Sequence, residues 1–154
     1  MKIKTRLFGE IHVEEEKIIQ FPEGIIGFPE CKEFTLIFDE EKGEKKKICW
    51  MQSLDESVFA LPVLDPLLVK EDYNPSVTEE VMGILGNPSP ENLLVLVTVT
   101  VPENIEEMSV NLQAPLIINV ETRNACQVIV SQEYPIKYKV YQLLKEKKAQ
   151  KAGE

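Results

Sequence analysis

Side chains that perform acyl transfer or hydrolysis are sparse in this chain. A serine or cysteine nucleophile needs a histidine base, and His12 is the only histidine in the 154 residues. It lies on a short predicted strand, where we expect it to face solvent. Two of the 26 acidic residues could still converge as a glycosidase-type pair. A hydrolase therefore stays an alternative class, although the sequence favours a protein that is not an enzyme.

Metal and cofactor chemistry also lacks its usual ligands. Cys31, Cys49 and Cys126 lie far apart and include no Cys-x-x-Cys pair, so we expect reduced thiols in the core of a cytosolic protein. Gly24 and Gly27 have the close spacing of a phosphate-binding loop, but no Lys-Ser or Lys-Thr follows them. The sequence predicts no catalytic residue, no metal site and no cofactor.

The charge distribution limits the partners. The formal net charge is -9, and residues 137–154 contain six lysines and two glutamates, which sum to +4 and leave -13 for residues 1–136. A body this acidic repels phosphate backbones and attracts basic proteins, so we expect no direct binding of nucleic acid. Solubility alone is the simpler explanation of the same charge.

Targeting signals are not evident either. No apolar stretch of signal-peptide length follows Met1, and the longest apolar run, residues 93–101, is too short to cross a bilayer as a helix. We therefore expect a cytoplasmic protein without a membrane partner.

Short apolar segments between Pro, Gly, Asn and acidic residues predict an all-β fold, a small barrel-like or sandwich domain with one or two short helices. A capping-box spacing from Ser76 to Glu79 predicts a helix that ends at Gly86 and Pro88. We expect one domain over residues 1–136 and a lysine-rich helical tail over residues 137–154, with a polar hairpin loop at residues 39–47. The predicted strands are residues 2–8, 10–14, 17–21, 34–39, 47–52, 57–64, 93–101, 109–112, 116–120 and 125–133.

Three segments rich in glycine, amides and apolar residues are typical of recognition rather than catalysis. They read FPEGIIGF at 21–28, MQSLD at 51–55 with FALPV at 59–63 and DP at 65–66, and NLQAP at 111–115 with Asn119 and Gln127. In order and spacing they resemble the FliW family of flagellar assembly factors. Met51 and Leu61 stand where the family pattern has Leu and Phe, and neither difference removes a polar group.

The resemblance implies a β-barrel-like domain that binds flagellin in the cytoplasm. When flagellin is exported, the freed protein is expected to bind the translational regulator CsrA and to antagonise it allosterically, so that CsrA releases flagellin mRNA. A general cytoplasmic chaperone for an exported substrate, without a regulatory role, is the alternative. The sequence leaves open whether an apolar groove or an edge strand would receive the flagellin segment.

The residues expected to contact a partner come from the same resemblance. Amides within an apolar strand pair need hydrogen bonds, so they could instead stabilise a bend of the chain. The expected contact residues are Ile26, Phe28, Gln52, Asp55, Asn111, Gln113 and Asn119.

Overall fold

The structure is a computed structural model that describes residues 2–37 and 48–145. Its regular elements are mostly short strands, as expected for a chain whose apolar segments are interrupted every few residues. The strands in the described ranges are β1 Lys2–Thr5, β2 Gly9–His12, β3 Ile19–Gln20, β4 Glu33–Ile37, β5 Ile48–Ser53, β6 Ala60–Leu64, β7 Leu93–Thr100, β8 Ser109–Val110, β9 Leu116–Asn119, β10 Ala125–Gln127 and β11 Tyr138–Lys139.

The strands form a hairpin and one larger sheet, and the ladders between them are antiparallel. The hairpin pairs β1 with β2. The larger sheet follows the order β10-β9-β7-β6-β5-β4-β3, with β8 paired to β7 and β11 paired to β8. The helix α1, Glu79–Ile84, is short, and residues 141–145 are also helical. These elements confirm the prediction of an all-β fold with few helices.

The two ends of the larger sheet, β3 and β10, meet at one point without closing a barrel in the described part of the chain. The Gln20 N–H donates to the Arg123 carbonyl at 2.9 Å, and Gln20 and Asn124 form an isolated parallel bridge. If the parallel pairing continued beyond β3 in this register, the next hydrogen bond would be donated by the N–H of residue 22. Pro22 has no N–H, so the pairing stops. The prediction of an all-β fold is therefore confirmed, but over the described residues the sheet stays open and does not form a closed barrel.

Apolar side chains cover the middle of the sheet on both faces. Val63 and Leu96 belong to one buried cluster, which contains Phe21, whereas their chain neighbours Leu64 and Val97 belong to a second. Successive side chains of a strand point to opposite faces. A strand that is buried on both faces is therefore apolar at successive positions and does not alternate apolar with polar residues. This accounts for the nearly continuous apolar run in β7.

The helix α1 begins two residues later than its capping-box spacing predicted. Thr78, not Ser76, is the N-cap residue, because its Oγ1 accepts a hydrogen bond from the Val81 N–H at 3.2 Å. The Ser76 N–H instead donates to the Gln132 side-chain oxygen at 2.7 Å. The helix ends before Gly86, which has a φ of +83°. Within residues 2–37 and 48–145 no helix has the length and hydropathy of a bilayer span.

The C-terminal part of the described chain contains a strand before it becomes helical. Tyr138 pairs with Val110 in the ladder of β11 and β8, and Val140 is fully buried in the second cluster. Residues 146–154 lie outside the described residues, as does the predicted hairpin loop at 39–47. The division into a domain at 1–136 and a tail at 137–154 stays a prediction.

Candidate partner-binding groove

One wall of the candidate site is the tight turn between β3 and β4. Gly24 has a φ of +72°, and a Cβ at this position would lie 2.4 Å from the carbonyl oxygen of Pro29, so the turn requires glycine. The Phe28 N–H donates to the Ile25 carbonyl at 2.7 Å and closes the turn. Ile25 is buried by this arrangement, whereas Ile26 and Phe28 remain 52% and 43% exposed.

The opposite wall is the turn that follows β8. The side-chain oxygen of Asn111 accepts hydrogen bonds from the backbone N–H groups of Gln113 and Ala114, at 3.0 and 3.2 Å. This is the local turn that asparagine favours. Among the described residues, the amide nitrogen of Asn111 and the side-chain amide of Gln113 have no hydrogen-bond partner. The turn thus uses one amide oxygen for structure, and its other side-chain polar atoms are without partners in the described part of the chain.

Gln127 joins the two walls. Its Oε1 accepts a hydrogen bond from the Ile26 N–H at 2.8 Å, and its Nε2 donates to the Ala114 carbonyl at 3.2 Å. Gln127 was part of the family-like pattern but was not among the expected contact residues. The only sequence signal for the role of Gln127 was an amide within an apolar strand. Local spacing could not reveal its contact with Ile26, because Ile26 is 101 positions away along the chain.

Between these walls lies an open groove of about 380 Å³. Ile26, Phe28, Asn111 and Gln113 line it, so four of the seven expected contact residues come together. None of its described lining residues carries a charge, although 28% of the chain is charged. The described lining residues are Ile25, Ile26, Phe28, Leu61, Thr98, Val99, Thr100, Asn111, Gln113, Ala114, Gln127, Ile129 and Ile136.

Four of the eleven exposed large apolar side chains of the described residues lie together at this groove. Ile129 and Ile136 are 66% and 59% exposed, and they share the groove with the half-exposed Ile26 and Phe28. The Phe28 ring packs on Phe59 with ring centroids 4.4 Å apart. Clustered apolar side chains that remain in contact with water are typical of a binding surface.

Gln52 lies behind the groove rather than in it. It is fully buried, and its Nε2 donates to the carbonyls of Ser53, Ser57 and Phe59 at 3.0, 3.2 and 3.2 Å. Its Oε1 is buried without a hydrogen-bond partner among the described residues. These bonds hold the loop between β5 and β6, and through Phe59 they support the ring of Phe28. This position favours a scaffold role for Gln52.

Asp55 and Asn119 also lie outside the groove and bond to the backbone. The carboxylate of Asp55 accepts the N–H groups of residues 32 and 33, both at 2.8 Å. The buried Asn119 donates from its amide to the Leu85 carbonyl at 2.7 Å and accepts the Glu121 N–H at 2.9 Å. Each side chain connects segments that are distant in sequence. Neither lines the groove with the four expected contact residues that come together there.

A larger groove of about 690 Å³ beside β2, β3 and β4 has a different chemistry. Glu14, Glu16, Lys17 and Arg123 line it together with apolar residues, so charges of both signs are present. The Arg123 Nε donates to the Ile18 carbonyl at 3.3 Å, close to the Gln20 contact that joins the ends of the sheet. None of the seven expected contact residues lines this groove.

Comparison with known proteins identifies the family. The family model described as FliW protein matches residues 2–140. The chain belongs to the FliW family. Flagellar assembly factor FliW of Lachnoclostridium phytofermentans is 41% identical over 155 residues, covering 100% of this chain and 99% of that protein. The FliW of Lachnospira eligens is 44% identical over 147 residues, covering 94% and 97%. A crystal structure of the flagellar assembly factor FliW superposes with a TM-score of 0.84 at 27% identity, covering 92% of this chain and 97% of that one.

The thiols of this FliW chain are poor nucleophiles. Cys31 and Cys49 are buried, which confirms the prediction of core thiols for these two, whereas Cys126 is only partly buried. Burial raises the pKa of Cys49 to about 11, and burial with the nearby Glu23 carboxylate raises the pKa of Cys126. Protonated thiols react slowly. His12 is exposed, as expected, and among the described residues no group of three or more His, Cys, Asp or Glu is placed to hold a metal.

Proposed function

We propose that this FliW chain is a non-enzymatic partner switch of the bacterial cytoplasm. It binds newly made flagellin. When flagellin has been exported, the freed protein binds CsrA, antagonises it allosterically and so relieves repression of flagellin mRNA translation. The proposal includes no cofactor and no direct contact with nucleic acid or membrane. Its starting point is membership of a family of flagellar assembly factors.

The observation that carries the proposal is the uncharged groove with exposed apolar walls. The resemblance implies that the exported end of flagellin is amphipathic, and the apolar side of such a segment needs cover before assembly. Ile26, Phe28, Ile129 and Ile136 supply apolar cover, and the free amides of Asn111 and Gln113 supply polar contacts. Burying each exposed apolar side chain would contribute about 1 kcal/mol to binding.

The acidic body supports CsrA as the second partner. Residues 1–136 carry a formal charge of -13, and clusters such as Glu14 to Glu16 are exposed. An RNA-binding regulator presents basic surface, so an acidic protein would be steered towards it and would repel the phosphates of bound RNA. The negative charge of this protein would therefore favour its association with CsrA and disfavour the binding of the transcript to CsrA.

The experiment that tests the proposal is calorimetric titration of the purified protein with flagellin and, separately, with CsrA, followed by competition in a mixture of the three. Ile26→Asp should lower the affinity for flagellin about 10-fold or more, because it places a charge in an uncharged groove. Leu67→Asp is the matched control, since Leu67 is also 52% exposed but does not line the groove.

Each outcome of the titrations has a separate meaning. Binding to both proteins with mutual exclusion is the expected result, whereas a stable ternary complex would contradict the switch. Binding to flagellin without binding to CsrA would favour a general chaperone of an exported substrate. If neither protein binds, the proposed function is wrong.

A further inference from the structure

We propose that the groove receives its partner as an extended segment that pairs with the free main-chain groups of Ile129, an inference that rests on the proposed function. The sequence left a helix in a groove and a strand at an edge as equal alternatives. Main-chain geometry around Ile129 and the free amides of the groove favour the strand.

The edge is defined by the hydrogen bonds of its neighbours. The N–H groups of Val128 and Val130 donate to the carbonyls of Pro115 and Gln113, at 3.1 and 2.9 Å. Alternate residues of an extended chain direct their main-chain groups to opposite sides, so those of Ile129 point away from the 113–115 segment. Within the described residues, the N–H and carbonyl of Ile129 have no hydrogen-bond partner, and its side chain is 66% exposed.

β3 approaches this edge but does not occupy it. The parallel bridge between Gln20 and Asn124 sets a register in which Pro22 should donate the next hydrogen bond, and proline cannot. The chain then turns at Gly24, and Ile26 is held by the side chain of Gln127 instead of by a ladder. The edge is therefore open at Ile129, where it enters the groove.

The chemistry of the groove fits an extended segment better than a helix. A helix satisfies its own main-chain groups, whereas an extended segment brings unpaired N–H and carbonyl groups at every residue. Ile129 and the amides of Asn111 and Gln113 offer both donors and acceptors for these groups. Alternate side chains of the segment would face the apolar walls at Ile26 and Phe28.

The charge of the groove defines the occupant further. A charged side chain that faced the lining residues would lose hydration without meeting an opposite charge, which is unfavourable. The occupant is therefore an extended segment of flagellin whose groove-facing side chains, at alternating positions, are apolar and uncharged. An open apolar edge is an aggregation hazard that proteins usually block, so its retention here is consistent with strand addition.

The test compares Ile129→Pro with Ile129→Ala in calorimetric titrations with intact flagellin. Both variants lose the isoleucine side chain, but only proline removes the free N–H, and this removal breaks no hydrogen bond of the free protein. We expect proline to weaken binding about 10-fold more than alanine, which corresponds to the loss of main-chain pairing. Thermal unfolding of both variants checks that the fold is intact.

Amide hydrogen exchange of the wild-type protein gives a second readout that does not depend on a variant. The Ile129 amide should exchange quickly in the free protein and become protected by about 100-fold or more when flagellin is bound. Equal affinities of the two variants, or an Ile129 amide that stays unprotected in the complex, would overturn strand pairing in favour of a docked helix. Failure of the wild-type protein to bind flagellin would instead remove the proposed function.

Discussion

The amides of the groove and the amides of the scaffold come from the same family-like pattern but have different surroundings. Gln52 and Asn119 are buried, and their Nε2 and Nδ2 atoms donate to backbone carbonyls. Asn111 and Gln113 are half-buried and, in the described part of the chain, keep polar atoms without partners. The Oε1 of Gln52 also lacks a partner among the described residues, but it is buried, so a second molecule cannot reach it. Burial and donation to backbone carbonyls, rather than residue type, therefore separate a scaffold amide from a contact amide.

The largest expected effect is on stability, at Gln52. Gln52→Ala should lower the free energy of unfolding by about 3 kcal/mol, because three loop carbonyls lose a donor and a buried cavity forms. Urea denaturation measures this change. If Gln52→Ala were as stable as the wild type, the distinction between scaffold and groove amides would fail for this residue.

Asn119 should show a smaller loss of the same kind. Asn119→Ala removes the bond to the Leu85 carbonyl and the acceptor for the turn at residues 121–122, at a cost of about 2 kcal/mol. Asn119→Asp is the informative companion, since it keeps the acceptor of the turn but places a buried carboxylate oxygen against the Leu85 carbonyl, so it should be at least as destabilising as alanine. Both are measured by thermal unfolding, and an effect on flagellin binding without a loss of stability would reassign Asn119 as a contact.

Gln113 should show the opposite behaviour. Gln113→Ala removes a side-chain amide that has no partner among the described residues, so the unfolding free energy should change by less than about 0.5 kcal/mol. The affinity for flagellin should fall about 5-fold, the value of one hydrogen bond. Titration and denaturation of the same sample separate the two effects, and a loss of stability alone would place Gln113 in the scaffold.

The effect of the buried Cys49 thiol is the smallest at neutral pH, because it appears only in alkaline solution. Its pKa is raised from an ordinary value of 9.0 to about 11, so the unfolded chain releases this proton at lower pH than the folded protein does. The stabilising contribution is complete below pH 9 and is lost as the pH rises towards 11. Cys49→Ala should therefore show a shallower decline of unfolding free energy over this window in urea titrations, and an unchanged slope would contradict the raised pKa.

Strand positions were largely predictable because alternation and turn residues are local signals. Residues 93–101 were predicted as a strand, and β7 covers Leu93–Thr100. The start of α1 was missed because Ser76 and Thr78 both suit an N-cap, and only the folded chain shows that the Thr78 side chain accepts the bond from the helix. The strand at Tyr138–Lys139 was missed because its partner, β8, is supplied by a distant part of the chain.

The all-β fold, the acidic character of the chain and the segments from which the candidate site is built were all predictable before folding was considered. These properties depend on composition and on spacings of a few residues. Only the folded chain shows which amides have hydrogen-bond partners, that Gln127 bonds to Ile26 at a distance of 101 positions along the chain, and that Pro22 leaves the sheet open beside Ile129. The physical reason is that a hydrogen bond depends on atoms within about 3 Å, and residues far apart in sequence meet at that distance only after folding.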